Sequence, residues 1–245
     1  MKLLNKVYTV LGNREKKVVV QNFFSLVILQ GANYILPLLI LPYLVRVLGT
    51  EKFGLVMFAQ SLALFLTVFV DFGFNISGTR EISLARKNKE KTSQIFFAIM
   101  FIKLGLLLLA FAILYIIVNT VTRFSIDAQV YLFSFGVVVG QAFFPVWFFQ
   151  GIEKMKFVTF INILAKGIFT VLVFFLVKSE ADYFKVPIYN SLGFVISGLL
   201  GFGLSFKYFK YKLPTFNLVK RLLVESFSLF VSNFATSLYT GPFYC

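Results

Sequence analysis

The 245-residue chain contains no histidine and a single cysteine, Cys245. The first absence removes the side chain most used for proton transfer near neutral pH and the commonest zinc ligand. The second excludes a disulfide scaffold. Charge is also scarce: charged residues make up 14% of the chain, against about 25% in soluble domains, and only 10 residues are acidic. No nucleophile–base pair, Gly-rich phosphate loop or metal-ligand cluster is present at a recognisable spacing, and the loops are too short to house a catalytic domain. An enzyme is not indicated, and no cofactor is implied.

What fills the chain instead is apolar. Hydrophobic residues make up 59%, with 34 Phe and 11 Tyr, and the mean hydropathy is +0.86. Such a chain cannot remain open in water. Apolar runs cover 18–44, 54–77, 94–118, 129–149, 157–177 and 186–206, and a seventh starts near Leu222 and is still running where the chain stops. Each complete run can cross a hydrocarbon core of about 30 Å at 1.5 Å per residue. None shows the alternation of a membrane β-strand. The first run is too long for a signal-peptide core and lacks a small-residue cleavage site, so it reads as a retained span. The expectation is an all-α integral membrane protein. Its parts are a basic N-terminus (1–17), a six-span lobe (18–206), a connector (207–221) and a partial seventh span (222–245).

The net charge of +14 follows the loops rather than one basic face. The N-terminus, the 80–91 loop, the 153–156 segment and the 207–221 connector carry 17 of the 24 basic residues; the alternate loops, 46–53, 119–128 and 178–185, carry 5. This asymmetry places the N-terminus in the cytoplasm and argues against nucleic acid as a partner.

Polar groups inside spans are the best pointers to function in a membrane protein. Asp71 lies nine residues before Arg80, Lys103 nine after Gln94 and Lys166 nine after Phe157, which sets all three about 13 Å in from the cytoplasmic end. They either share a hydrated cavity or, for the lysines, snorkel to the head groups. Thr159, Asn162, Lys166 and Thr170 share one narrow helix face, as do Thr67, Asp71 and Asn75, and Gln30, Asn33 and Pro37. Such stripes line a cavity or make interhelical hydrogen bonds. Pro37 and Pro42 remove backbone donors in the outer half of span one, marking a gating bend or a static kink. Small residues at Gly193, Ser197, Gly201 and Ser205, and at Gly136 and Gly140, read as close-packing ladders. Trp147, Phe148 and Phe149 fit an interfacial aromatic belt.

Four separated stretches carry a resemblance. They are Gly31-Ala-Asn-Tyr-Ile-Leu-Pro-Leu-Leu-Ile-Leu-Pro-Tyr-Leu-Val-Arg-Val-Leu-Gly49, Phe53-Gly-Leu-Val-Met-Phe-Ala-Gln60, Asp71-Phe-Gly-Phe-Asn-Ile-Ser-Gly-Thr-Arg-Glu-Ile82 and Phe144-Pro-Val-Trp-Phe-Phe-Gln-Gly-Ile-Glu-Lys-Met-Lys156. Together they resemble the bacterial O-antigen and capsule repeat-unit flippases of the multidrug/oligosaccharidyl-lipid/polysaccharide exporter superfamily. The resemblance implies two six-helix lobes around a central cavity in the bacterial inner membrane. It implies transfer of an undecaprenyl-pyrophosphate-linked oligosaccharide to the periplasmic leaflet, with membrane lipids and polysaccharide polymerase and assembly proteins as partners. A cationic lumen is implied, to which Lys103 and Lys166 would belong, with Arg46 and Arg80 in or beside matching motifs. Asp71 would pair with a lysine or carry a coupling proton. A related drug exporter and a non-transporting scaffold are the alternative functions; two lysines among three buried charges disfavour a cation exporter. Members of this family run to about twelve or more spans, so the chain is expected to be a truncated member, inactive by itself.

Overall fold

The computed structural model describes residues 13–240, and the described residues are almost wholly helical. The helices are α1 (Asn13–Asp71), α2 (Phe74–Ala85), α3 (Lys89–Thr120), α4 (Thr122–Ser125), α5 (Ala128–Phe143), α6 (Val146–Gly151), α7 (Met155–Leu176), α8 (Lys185–Ser205) and α9 (Phe216–Thr240). Five helical stretches are long and apolar enough to cross a membrane. The first of them, Val20–Ala85, has 66 residues and would extend about 100 Å if straight, some three times the hydrocarbon thickness.

That stretch is two crossings joined at Gly49. Its backbone there, φ 70 and ψ 169, lies in a region that only glycine occupies without strain. Side-chain pairings show that the chain reverses. The first arm of α1 runs parallel to α7: Thr159 Oγ1 donates to the Ser25 carbonyl at 2.8 Å, Lys166 Nζ to Asn33 Oδ1 at 2.6 Å, and Tyr43 OH to the Val177 carbonyl at 2.7 Å. α7 is antiparallel to α8, since Gly193 meets Ala165 and Gly201 meets Ile161. α8 is parallel to α5, where Gly136 meets Ser191 and Gly140 meets Phe194. The second arm of α1 is parallel to α5, Phe58 contacting Tyr131 and, further along, Thr79 of α2 reaching the Trp147 carbonyl at 3.2 Å. The two arms are therefore antiparallel. One stretch crosses twice and four cross once, making six crossings among the described residues. The helix continues unbroken through Pro37 and Pro42, and the reversal at Gly49 falls in the 46–53 loop between the first two apolar runs.

One end of the bundle carries the 85–93, 152–155 and 207–215 segments and is called the basic end here. The other carries Gly49, the 119–128 loop and the 178–185 loop. Two cores fill the interior. Leu44, Leu48, Val56, Leu114 and Val138 belong to the one on the Gly49 side. Phe74, Ile82, Phe96, Ile99 and Trp147 belong to the one at the basic end. Trp147, Phe148 and Phe149 are each 0% exposed; Trp147 and Phe148 pack on Phe96, Phe148 also on Phe209, and Phe149 on Phe144 and Phe157. The expected interfacial belt is thus corrected: α6 turns inward after Pro145 and delivers these rings to the core.

Helices in lipid gain no hydrophobic stabilisation from touching, so contact depends on close backbone approach and interhelical hydrogen bonds. The small-residue ladders supply it. A Cβ at Gly136 would stand 2.5 Å from the Ser191 Cβ, and one at Gly201 2.7 Å from the Phe144 ring. At Gly140 it would overlap the Phe194 carbonyl, and at Gly198 the Gly140 carbonyl. In the 178–185 loop, Asp182 accepts from the Lys185 ammonium at 2.6 Å and from the Lys178 and Ser179 amides, which together hold its carboxyl well below the usual carboxylate range. A lowered folded-state pKa stabilises this loop above the unfolded carboxyl value and loses that contribution as pH falls through the folded one.

Gly198→Val is expected to lower the melting temperature of the detergent-purified protein by the equivalent of about 1–3 kcal/mol of overpacking, whereas Gly167→Ala, facing open space, leaves it unchanged. In a Cys245→Ser background, cysteines at Asn88 and Tyr211 should react with an impermeant maleimide from one side of the membrane and cysteines at Thr120 and Ala181 from the other. A pattern in which 88 and 120 share a side would overturn the topology.

Candidate functional site

Midway along the bundle, α1 breaks. Phe72 and Gly73 both take positive φ, 49° and 77°, and α2 resumes with its first turn against α9. Gly73 is required there by contact as well as by conformation: a Cβ would stand 3.0 Å from the Leu229 Cβ and the Phe230 amide. The stacked Phe72–Phe230 pair and a buried Ser77–Ser226 hydrogen bond of 2.7 Å seat α9 on this break.

The break opens beside a cavity of about 450 Å³. Thr67, Asp71 and Asn75 line it from the α1–α2 junction, Lys103 from α3, Gln141 from α5, Asn162 from α7 and Thr236 from α9. Apolar walls come from Leu64, Val138 and Phe194. Lys103, 3% exposed, donates to Asp71 Oδ1 at 3.2 Å. On insertion scales an unpaired lysine near mid-helix costs roughly 2.5–3.5 kcal/mol, so the carboxylate is what allows this ammonium to sit in the bundle. Asp71 Oδ2 also accepts from the Asn75 amide at 3.3 Å, which orients the carboxylate across the break. Asn162 and Thr67 satisfy part of their polarity on their own helices, donating to the Val158 and Ala63 carbonyls at 2.9 Å.

The expected site residues divide into three groups. Asp71, Lys103, Asn75 and Asn162 come together in the cavity. Lys166, Asn33 and Thr159 lie in the adjoining seam between α7 and the first arm of α1, where Lys166 bonds Asn33 and Thr159 bonds the Ser25 carbonyl; Thr170 donates to the Lys166 carbonyl at 2.7 Å. Gln30, Arg46 and Arg80 are exposed and outside the cavity. The single pocket expected for all three buried charges is therefore two neighbouring polar sites, with Asn162 in one and Lys166, one turn along α7, in the other. Sequence reasoning missed Gln141, a lone amide in the apolar stretch of α5. The rule that singled out Asn162 would have found it.

The arrangement is a polar, partly cationic chamber inside an apolar bundle. It offers one cation already neutralised by a carboxylate and several amides and hydroxyls suited to hydroxyl-rich ligands. Among the described residues no three His, Cys, Asp or Glu side chains group as metal ligands.

Comparison with known proteins places the chain in a family. Residues 19–241 match the family described as "Polysaccharide biosynthesis protein". The chain belongs to that family. Its relatives include a protein named "Putative O-antigen transporter" from Escherichia coli (strain K12), 33% identical over 230 residues, covering 93% of this chain and 55% of that protein. A protein of the same name from Shigella dysenteriae is 33% identical over 223 residues, covering 90% of this chain and 56% of the other. The chain thus spans about half the length of the curated relatives it matches. No solved structure matches.

A double-mutant cycle tests the central pair. Asp71→Asn and Lys103→Met should each destabilise the detergent-purified protein, because each leaves an unpaired buried charge. The double variant should recover part of the loss, with a coupling of about 1–3 kcal/mol. Additive losses would show that the pair does not form.

Proposed function

We propose that the chain forms one helical lobe of a transporter that moves an undecaprenyl-pyrophosphate-linked oligosaccharide between leaflets of the bacterial inner membrane, with the basic end in the cytoplasm. The observation that carries this reading is the cavity holding Lys103 and Asp71 inside a membrane bundle. A charged chamber in lipid is energetically unfavourable and has its natural use as a pathway for a polar ligand. Lys103 and Lys166 are cations of the sort a diphosphate needs, and attraction between opposite charges is stronger in a low-dielectric interior than in water. Asn75, Gln141 and Asn162 supply donors and acceptors for sugar hydroxyls. Asp71 holds the Lys103 charge when no anion is present. The relatives' names support transport rather than catalysis, and the surplus of basic residues at the 85–93, 152–155 and 207–215 segments supports the orientation.

Alternating access works by one bundle moving against another around a site between them. In this reading the helices described here form one wall, and a second set of helices forms the other. Membrane lipids contact the outer faces, and polymerase and assembly proteins take up the product.

The test uses a strain lacking its own translocase, with surface polysaccharide as the readout. The 245-residue chain by itself is expected to restore none. A chimera in which this chain replaces the matching part of the E. coli relative is expected to restore it. Within that chimera, Lys103→Ala and Lys166→Ala should each reduce surface polysaccharide about tenfold or more, the equivalent of losing a charge-assisted hydrogen bond, at near-normal membrane abundance. Full activity of both variants would overturn the assignment of these lysines.

A further inference from the structure

A second cavity, of about 380 Å³, lies at the basic end between α2, the start of α3 and the start of α9. Lys91, Gln94, Thr215 and Arg221 form its polar lining together with Glu81, and Leu84, Ile95 and Leu218 form its apolar side. It is separate from the chamber around Lys103, with which it shares no lining residue.

Three properties identify what it accepts. The first is charge. The 79–93 and 207–221 segments that meet here contain ten basic residues and two acidic ones, Glu81 and Glu90. Both carboxylates are engaged, Glu81 by Arg221 at 2.7 Å and Glu90 by Lys212 at 2.6 Å. The surroundings therefore keep a large positive excess. The second is depth. Two of the three helices turn from charged to apolar sequence at this level: Gln94 is followed by the apolar run from Ile95, and Arg221 by Leu222, Leu223 and Val224. A change of this kind is what a membrane helix shows where head groups give way to hydrocarbon. The third is exposure. Leu84 is 75% exposed and Phe216 80%, and Leu213, whose carbonyl accepts from Gln94, is 55% exposed. An inorganic anion has no use for such a rim, whereas an amphiphile does.

We propose that this cavity seats the phosphate head group of an acidic membrane phospholipid, its acyl chains lying on the apolar surface beside Leu84 and Phe216. Lys91 and Arg221 supply the charge, and Gln94 and Thr215 supply polar atoms. Glu81 and Glu225, which pair with Arg221 at 2.7 and 3.2 Å, compete with the lipid phosphate for its guanidinium, Glu81 from the shorter distance and as part of the cavity lining. The proposal is independent of the transport reading, since it concerns a different cavity and a resident lipid.

The full chain, purified in mild detergent, is titrated with phosphatidylglycerol or with phosphatidylcholine of the same acyl chains, and bound lipid is read by native mass spectrometry alongside the melting temperature. Phosphatidylglycerol is expected to bind more tightly. Lys91→Gln should weaken it by about fivefold, the share of one basic residue near an anionic lipid. Glu81→Gln should strengthen it by removing the nearer of the two carboxylates that hold the guanidinium, and Lys178→Gln, at the opposite end, should leave it unchanged. Lys91 is exposed, so its replacement does not threaten folding, and the melting temperature without lipid confirms this. Equal binding of the two lipids, or equal behaviour of Lys91→Gln and Lys178→Gln, would overturn the proposal. If inorganic phosphate alone stabilises the protein as much as phosphatidylglycerol, the site takes a free anion and the lipid assignment fails.

Discussion

The approach of α5 to α8 is the contact on which the bundle turns. Gly140 and Gly198 bring two backbones so close that a methyl group on either would overlap a carbonyl of the other helix. In water such contacts would be reinforced by burial of apolar surface, but lipid offers apolar surface everywhere and removes that drive. What remains is dispersion, which falls off steeply with separation. Once α5 and α8 are fixed, α7 is held against α8 through Gly193, and the first arm of α1 follows α7 through Ser25, Asn33 and Tyr43. The fold is a chain of close approaches that starts from that pair.

The same environment dictates where charge can lie. Lys103 sits in the bundle because Asp71 faces it, and Asp71 faces it because α1 ends there. The interruption at Phe72 and Gly73 ends one helix and starts another, tolerated because α9 covers the break. Irregular backbone at membrane depth survives only where protein or a polar cavity surrounds it, and here both are present. A single local event thus produces the cavity, orients its carboxylate and docks the last helix.

The basic end is built differently. Its interior is filled by aromatic rings gathered around Phe96, Trp147 and Phe148, and its surface carries basic residues of the three segments that meet there. Ion pairs between Arg221 and Glu81, Lys212 and Glu90, and Arg86 and Glu153 tie the connectors together. Exposed pairs of this kind contribute little stability. Their larger effect is to consume the few carboxylates, so that the remaining lysines present an undiluted positive surface.

Most of the architecture was legible in the sequence because lipid imposes simple rules: apolar runs of sufficient length must be helices, and basic residues sort the loops to two ends. The glycine and serine ladders announced close packing, and Asp71, Lys103 and Asn162 stood out as polar groups in apolar runs. Other features depended on partners far away in the chain. Trp147 followed by two phenylalanines has the composition of an interfacial belt, yet Phe96 and Phe209, supplied by other helices, make it core. Pro37 and Pro42 left open a gating bend or a static kink, whereas the helix runs through both, the turn falling at Gly49 within the 46–53 loop. Lys166 has the same sequence depth as Lys103, but Asn33 draws it into a different seam. The sequence by itself determined which segments form long apolar helices and which groups are anomalous in lipid, because those follow from local composition. Which anomalous groups meet was decided by the tertiary structure alone, because helix rotation and pairing are set by side chains on different helices, 32 residues apart for Asp71 and Lys103 and 133 for Asn33 and Lys166.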